Sequence, residues 1–254
     1  MLLEQTYDKL IAMKLYGMAN ALKTRLERVD HQSLTKEEFF SLIVDDEWLY
    51  RENRKLVSRL KVAKFKERAA AIEDIDYRTP RGLRKTQVLE LAQHRWIKAH
   101  QCVIVTGPSG VGKSYLAQAF GHHACRNGFS VQYLRLPTLL TQFVQARAQG
   151  TYERLLKRLG KLSLLVIDDF GLATLTDIEK QDLLEAVEER YGTGATLITS
   201  QLPVSDWHAY LGADRVADAI LDRLIHNAHR IELRSKESLR KDPSLNPHGG
   251  HPER

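Results

Sequence analysis

Cysteine is scarce: Cys102 and Cys125 are isolated thiols in a chain of 254 residues, without the spacing of a metal site or a disulfide framework. They fit a reduced setting, and the cytoplasm is the expected location. Long apolar runs are missing as well. The longest uninterrupted stretches reach about four to five residues, whereas crossing a bilayer takes roughly 20. Glu4 directly follows Met1-Leu2-Leu3, so no signal-peptide core is expected, and no internal repeat recurs. A composition of 43% hydrophobic and 28% charged residues is that of a soluble globular protein with one large or two modest domains.

Basic charge is concentrated between Arg51 and Arg68. Eight cations there face only Glu52 and Glu67, which matches the net charge of +6 for the whole chain. Arg51, Lys55 and Arg59 recur at helical spacing beside an apolar stripe of Leu56, Leu60 and Ala63. One face can pack while the other meets a polyanion such as DNA, or it is simply solvated. Met18, Leu22, Leu26 and Val29 also recur helically, and Thr35-Lys36-Glu37-Glu38 reads as a capping box opening Phe39, Phe40, Leu42 and Ile43. Thr79-Pro80-Arg81-Gly82 interrupts the pattern and suggests a joint. The expected division is a helical domain over 1–80, a nucleotide domain over 81–241 and a disordered tail over 242–254, where Pro243, Pro247, Gly249, Gly250 and Pro252 concentrate.

The strongest local signal is Gly107-Pro108-Ser109-Gly110-Val111-Gly112-Lys113-Ser114, delivered by the apolar run Cys102 to Val105 and followed by a helical segment from Tyr115. Its glycines let successive N–H groups converge on phosphate oxygens. Lys113 can neutralise the β- and γ-phosphates, and the Ser114 hydroxyl is placed for Mg²⁺. The ligand class is a nucleoside triphosphate.

A second signal follows about fifty residues on. Leu164-Leu165-Val166-Ile167 ends in Asp168-Asp169, as a buried parallel strand carrying a metal-binding acid would. Asp168 is the candidate Mg²⁺ ligand and Asp169 the candidate group that polarises the attacking water. Adjacent carboxylates repel unless a cation stands between them or one is protonated, and Mg²⁺–nucleotide would supply that cation. Strands are expected over 102–106, 131–136, 163–168, 195–200 and 229–234, with helices over 83–98, 113–126, 137–148, 178–191 and 214–226. That alternation makes a three-layer α/β domain with a parallel sheet. Thr199-Ser200-Gln201 closes one strand with polar groups that could report on the γ-phosphate, or merely end it. Arg223, late on a helix, could act on a neighbouring subunit's nucleotide, or pair with Asp218 or Asp222.

GPSGVGKSYLAQAFG, LLVIDDFG, TLITSQLP with Trp207 after it, and ADAILDRLIHNAHRIEL together resemble the IstB-type ATPases, helpers of insertion sequences that encode a transposase and an ATPase in tandem. The resemblance runs through about Lys241 and includes EWLYREN and AKFKERAAAIEDIDY. It implies an AAA+ ATPase, similar to helicase loaders of the DnaC type, that forms homo-oligomers with ATP and Mg²⁺ between subunits, assembles on duplex DNA and delivers the target to a transposase (IstA-like).

By motif, the resemblance makes residues 107–114, with Tyr115 next to them, the Walker A loop and Asp168 the Walker B metal ligand. Asp169 stands where many AAA+ proteins carry Glu, which implies slow hydrolysis. Gln201 matches the first sensor, Arg223 the arginine finger, and Arg240 the second sensor in a segment that lacks the family's glycine. The family's extra helical element between the second and third strands falls where Arg147, Arg154, Lys157, Arg158 and Lys161 cluster against Glu153. Lys157 and Arg158 there are candidate phosphate contacts, or part of a solvated face. A loader of a replicative helicase and a small-molecule P-loop kinase are the competing readings.

Overall fold

The computed structural model describes residues 2–26 and 34–234. Val29, Arg240 and the tail from Asp242 lie outside the described residues. The contacts divide the chain into two compact units, Met1–Ser58 and Arg59–Arg254. The boundary falls before the joint expected at residues 79–82, because residues 59–80 already pack with the second unit. Gln118 accepts from the backbone N–H groups of Lys66 and Glu67 at 2.7 and 2.9 Å, and the Phe65 ring lies 4.1 Å from that of His122.

The first unit holds α1 (Leu2–Ala12), α2 (Tyr16–Leu26) and most of α3 (Lys36–Ala63). The capping box opens α3 as expected: Glu38 accepts from the Thr35 N–H at 2.8 Å, and the Thr35 hydroxyl accepts from the Glu38 N–H at 3.2 Å. Glu47, nearly buried, accepts from the N–H groups of Gly17 and Met18 at the start of α2 at 2.7 and 3.1 Å. Burial pushes its pKa up, but the hydrogen bonds from Arg51, Met18 and Gly17 outweigh that and hold it below the usual carboxylate value. A carboxylate on otherwise unpaired N-terminal N–H groups is a favourable use of the helix dipole.

The second unit begins with the short helices α4 (Lys85–Leu91) and α5 (Arg95–Lys98). The single helix expected over 83–98 is broken at His94, whose φ of 59° is left-handed. Alternating strands and helices follow: β1 (Cys102–Thr106), α6 (Lys113–Arg126), β2 (Val131–Arg135), α7 (Leu136–Ala148), α8 (Tyr152–Gly160), β3 (Leu164–Phe170), α9 (Asp177–Arg190), β4 (Ala195–Ser200), α10 (Trp207–Tyr210), α11 (Arg215–Ile225) and β5 (Ala228–Glu232). The sheet is parallel throughout, ordered β2-β3-β4-β1-β5.

Strands β1 and β4 are buried along their whole length, which is why they read as continuous apolar runs rather than alternating ones. One face packs Ile104, Leu165, Ile167 and Ile198 against α7 to α11, with Phe143 and Trp207 at its centre. Helix α6 covers the other face. Parallel strands sharing one direction bring every C-terminal end, and the loops that follow, to one edge.

Helices α7 and α8 are tied to α9 through Asp182, which is fully buried. Its Oδ1 accepts from Arg147 Nε at 2.9 Å and from the Tyr152 hydroxyl at 2.8 Å, and the Arg147 guanidinium stacks 3.8 Å from the Tyr152 ring centroid. Arg147 therefore serves the fold rather than the basic cluster expected of it. Asp182→Ala should cost about 2 kcal/mol, discounted because Arg147 is partly solvated, and urea unfolding would measure it.

Candidate nucleotide site

The Gly107–Ser114 loop joins β1 to α6 at the C-terminal edge of the sheet. Gly107 prolongs the strand by donating its N–H to Ser200 O at 3.2 Å. Its φ is 147°, and a Cβ there would lie 2.2 Å from Leu233 O, so only glycine fits between the ends of β4 and β5. Gly112, at φ 91°, turns the chain into the first turn of α6. Val111 is buried, whereas Pro108 and Ser109 are exposed at the rim.

Lys113 Nζ reaches back over the loop to Gly107 O and Pro108 O, each at 2.8 Å. The Ser114 hydroxyl donates to Asp168 Oδ1 at 3.0 Å. Helix N-terminal N–H groups, an ammonium and two hard oxygen donors thus meet at one point, and the oxygen pair suits Mg²⁺ better than a softer metal. Tyr115 lies apart from this point, its hydroxyl against the Ala71 backbone at 3.4 Å.

The two aspartates face different partners. Asp168 is almost fully buried; its Oδ2 accepts from the Tyr133 hydroxyl at 2.5 Å, and its Oδ1 accepts from Thr199 as well as Ser114. Burial, then the bond to Asp168, pushes the Tyr133 phenol well above its usual pKa, so it remains a donor. Asp169 sits at an irregularity in the β3–β4 pairing with φ 62°, a conformation Asp tolerates better than most residues. Its N–H donates to Thr199 Oγ1 at 3.2 Å, and its Oδ2 accepts from Arg135 Nε at 2.5 Å. The hydrogen bond to Asp169 raises the Arg135 pKa further.

Three partners escaped the sequence reading: Tyr133 and Arg135 on β2, and Arg81. Arg135 stands opposite Asp168 in the parallel register, a juxtaposition that strand order alone reveals. Arg81, in the expected joint, is instead 6% exposed and donates to Val111 O at 2.8 Å and Asp76 O at 2.9 Å, bracing the loop from behind. Burial lowers its pKa. Within Thr199-Ser200-Gln201, Thr199 is the residue that touches Asp168, while Gln201 is exposed one position beyond β4, next to the residue that accepts from Gly107.

Arg223 lies at the opposite edge. Its carbonyl is 4.0 Å from Cys102 Sγ at the start of β1, about 16 Å of strand from Gly107. Its guanidinium pairs with Glu188 and donates to Ala219 O at 2.8 Å, so neither Asp218 nor Asp222 is its partner. Nε is buried without a partner among the described residues, and the Tyr191 ring centroid is 5.9 Å away.

The expected polyanion contacts divide. Arg51 pairs with Glu47 at 2.6 Å and Lys55 with Glu52 at 2.7 Å, while Arg59, in the second unit, donates to Cys125 O at 3.4 Å. Helix α3 ends at Ala63, so the basic run does not continue as one helix to Arg68. On α8, Lys157 is exposed 3.8 Å from Glu153, and Arg158 is exposed with a 3.3 Å bond to Gln142.

Fold and site define a P-loop nucleotide-binding protein with a parallel, three-layer α/β fold. Solved structures agree on the fold: a replication initiator DnaA bound to AMPPCP and single-stranded DNA aligns at TM-score 0.57 and 17% identity, over 70% of this chain and 53% of that one. The DnaC helicase loader aligns at 0.54 and 18%, over 65% and 96%. The family profile described as IstB-like ATP binding protein matches residues 8–246, and the chain belongs to that family. It is 48% identical over 242 residues to a protein of Sinorhizobium fredii named as an insertion sequence ATP-binding protein, covering 95% of this chain and 98% of that one. It is 40% identical to a Pseudomonas fluorescens protein of similar name, over 81% and 89%.

Proposed function

We propose that this chain is a Mg²⁺-dependent ATPase that oligomerises on duplex DNA, deforms the target and delivers it to a partner transposase to stimulate transposition. The observation that carries the reading is the separation of Arg223 from the loop at Gly107–Ser114. A guanidinium on the far edge of the sheet cannot reach its own nucleotide, but it can complete the site of a neighbouring copy.

In this mechanism the 107–114 backbone and Lys113 bind the phosphates, while Tyr115, held against Ala71, takes no part. Ser114 and Asp168 would hold Mg²⁺, which would supply positive charge to offset the negative charge developing on the phosphates. Tyr133 and Thr199 orient Asp168. Arg135 anchors Asp169 through one oxygen, leaving Oδ1 to polarise the attacking water. The short side chain of Asp169 favours slow turnover that times assembly. Gln201 reports on the γ-phosphate, and Arg223 leaves Glu188 to meet the neighbour's phosphoryl group.

DNA is held by Lys157 and Arg158 on α8, with Arg51, Lys55 and Arg59 as further phosphate contacts and residues 1–80 as the DNA- and partner-binding region. Relatives named for insertion sequences support a transposase rather than a helicase as the recipient. Co-sedimentation with DNA should require ATP or a non-hydrolysable analogue. Nucleotide-independent DNA binding would overturn the assembly role, and finding no DNA binding at all would favour a small-molecule kinase. Lys113→Ala should weaken ATP binding by about 10- to 100-fold and abolish nucleotide-dependent assembly, read by equilibrium dialysis and light scattering.

A further inference from the structure

An open pocket of about 330 Å³ lies against Asp169, between the start of α7 and the segment that joins β3 to α9. Leu136, Pro137, Leu140, Val144 and Leu175 make its walls largely apolar, and two carboxylates, Asp169 and Glu179, line it without a cation among the described residues. Val144 is 56% exposed, and Leu172 and Ile178, which adjoin lining residues in sequence, are more than half exposed as well. Single exposed apolar side chains need no explanation, but a group of them around a pocket marks an interaction surface. The volume is at the low end for a small-molecule site and suits one aromatic side chain.

We propose that this pocket receives the Tyr191 side chain of a neighbouring copy, which seats that copy against the aspartate assigned to the attacking water. The proposal rests on the reading of Arg223 as acting on a neighbour's nucleotide, and adds a docking residue and its seat. Tyr191 is 58% exposed, directly follows the last residue of α9, and has the Arg223 guanidinium 5.9 Å from its ring centroid. Glu179, in the pocket wall, stands in the first turn of that same helix, so about 18 Å of helix separates Tyr191 from its own pocket. Arg223 stands about 16 Å of strand from its own phosphate loop. As the crossover between the parallel strands β3 and β4, α9 runs back alongside them. The two spans therefore agree: one shift of a second copy along the strand direction brings Arg223 to the loop and Tyr191 to the pocket together. Charge agrees as well. The opening beside Tyr191 is lined by Arg190, Arg223, His100 and His226, and by no carboxylate among the described residues, opposite in sign to the pocket it would meet. A phenol is apolar along its ring and a donor at its tip. That suits apolar walls with an acceptor at Glu179, whose Oε2 is held by Thr176, leaving Oε1 for the hydroxyl.

Assembly of the full chain with a non-hydrolysable ATP analogue, followed by light scattering against protein concentration, tests the pairing. Tyr191→Ala should need about tenfold more protein to assemble, with nucleotide binding by equilibrium dialysis unchanged. Tyr191→Phe keeps the ring and should come within about threefold of the parent. Val144→Gln, at an exposed position on the pocket wall, should weaken assembly as Tyr191→Ala does. The double variant Tyr191→Ala/Val144→Gln should be no weaker than either single one, because both remove the same contact. Parent-like assembly of Tyr191→Ala or of Val144→Gln overturns the pairing, and so do additive losses in the double variant. A Tyr191→Phe variant as weak as Tyr191→Ala overturns it too, since the ring is what fills the pocket. If instead the parent fails to assemble with nucleotide, or Arg223→Ala hydrolyses ATP normally, the underlying reading of a site shared between copies fails.

Discussion

Arg223→Ala should lower ATP turnover by about 10³-fold or more while leaving nucleotide binding intact. Lys113, Ser114 and Asp168 are all at the other edge of the sheet, about 16 Å of strand away, so truncating Arg223 touches no group that holds the nucleotide. Within the subunit the loss is small: the guanidinium is partly exposed, and its partner Glu188 is nearly half exposed and can be solvated. The effect on turnover should therefore depend on neighbours. Mixing Arg223→Ala with Lys113→Ala subunits provides the discriminating measurement, because one retains a working loop and the other a working arginine. Each alone should be inactive and the mixture should recover part of the activity. Failure of the mixture to recover would locate the completing cation elsewhere.

Asp169→Asn should reduce turnover by about 10²-fold or more and leave ATP binding within a few-fold of the parent. The carboxamide has the shape of the carboxylate but cannot accept a proton from water. The position is separated from Asp168 by a backbone kink: Asp168 faces Ser114, Tyr133 and Thr199, whereas Asp169 faces Arg135. Single-turnover hydrolysis against equilibrium nucleotide binding separates the two effects. Normal hydrolysis would remove Asp169 from the mechanism. Loss of binding would show that it supports Asp168 instead.

The site was unevenly legible before the structure. Apart from α8, which no expected range covered, strand and helix limits from 102 to 200 could be read to within one or two residues, the strands because burial on both faces leaves uninterrupted β-branched and aliphatic runs. The loop at 107–114 was readable because a phosphate-binding turn needs glycine and lysine at fixed offsets along a contiguous chain. His94 was not, since its left-handed φ carries no compositional mark. Arg81 read as part of a joint and proved to be a buried brace whose carbonyl partners belong to segments five and thirty residues away.

Local order along the chain thus determined the ligand class, the parallel α/β architecture and the acidic pair near the C-terminal end of β3. All depend on neighbours in sequence, where backbone geometry and periodicity leave a direct record. Tertiary structure alone decided that Tyr133 and Arg135 flank the two aspartates, that Thr199 rather than Gln201 touches Asp168, and that Arg147 is spent on Asp182. It also placed Arg223 on the edge away from its own loop. Those outcomes depend on strand order and register, β2 beside β3 and β1 between β4 and β5, which are set by packing between distant segments and leave no periodicity in the sequence.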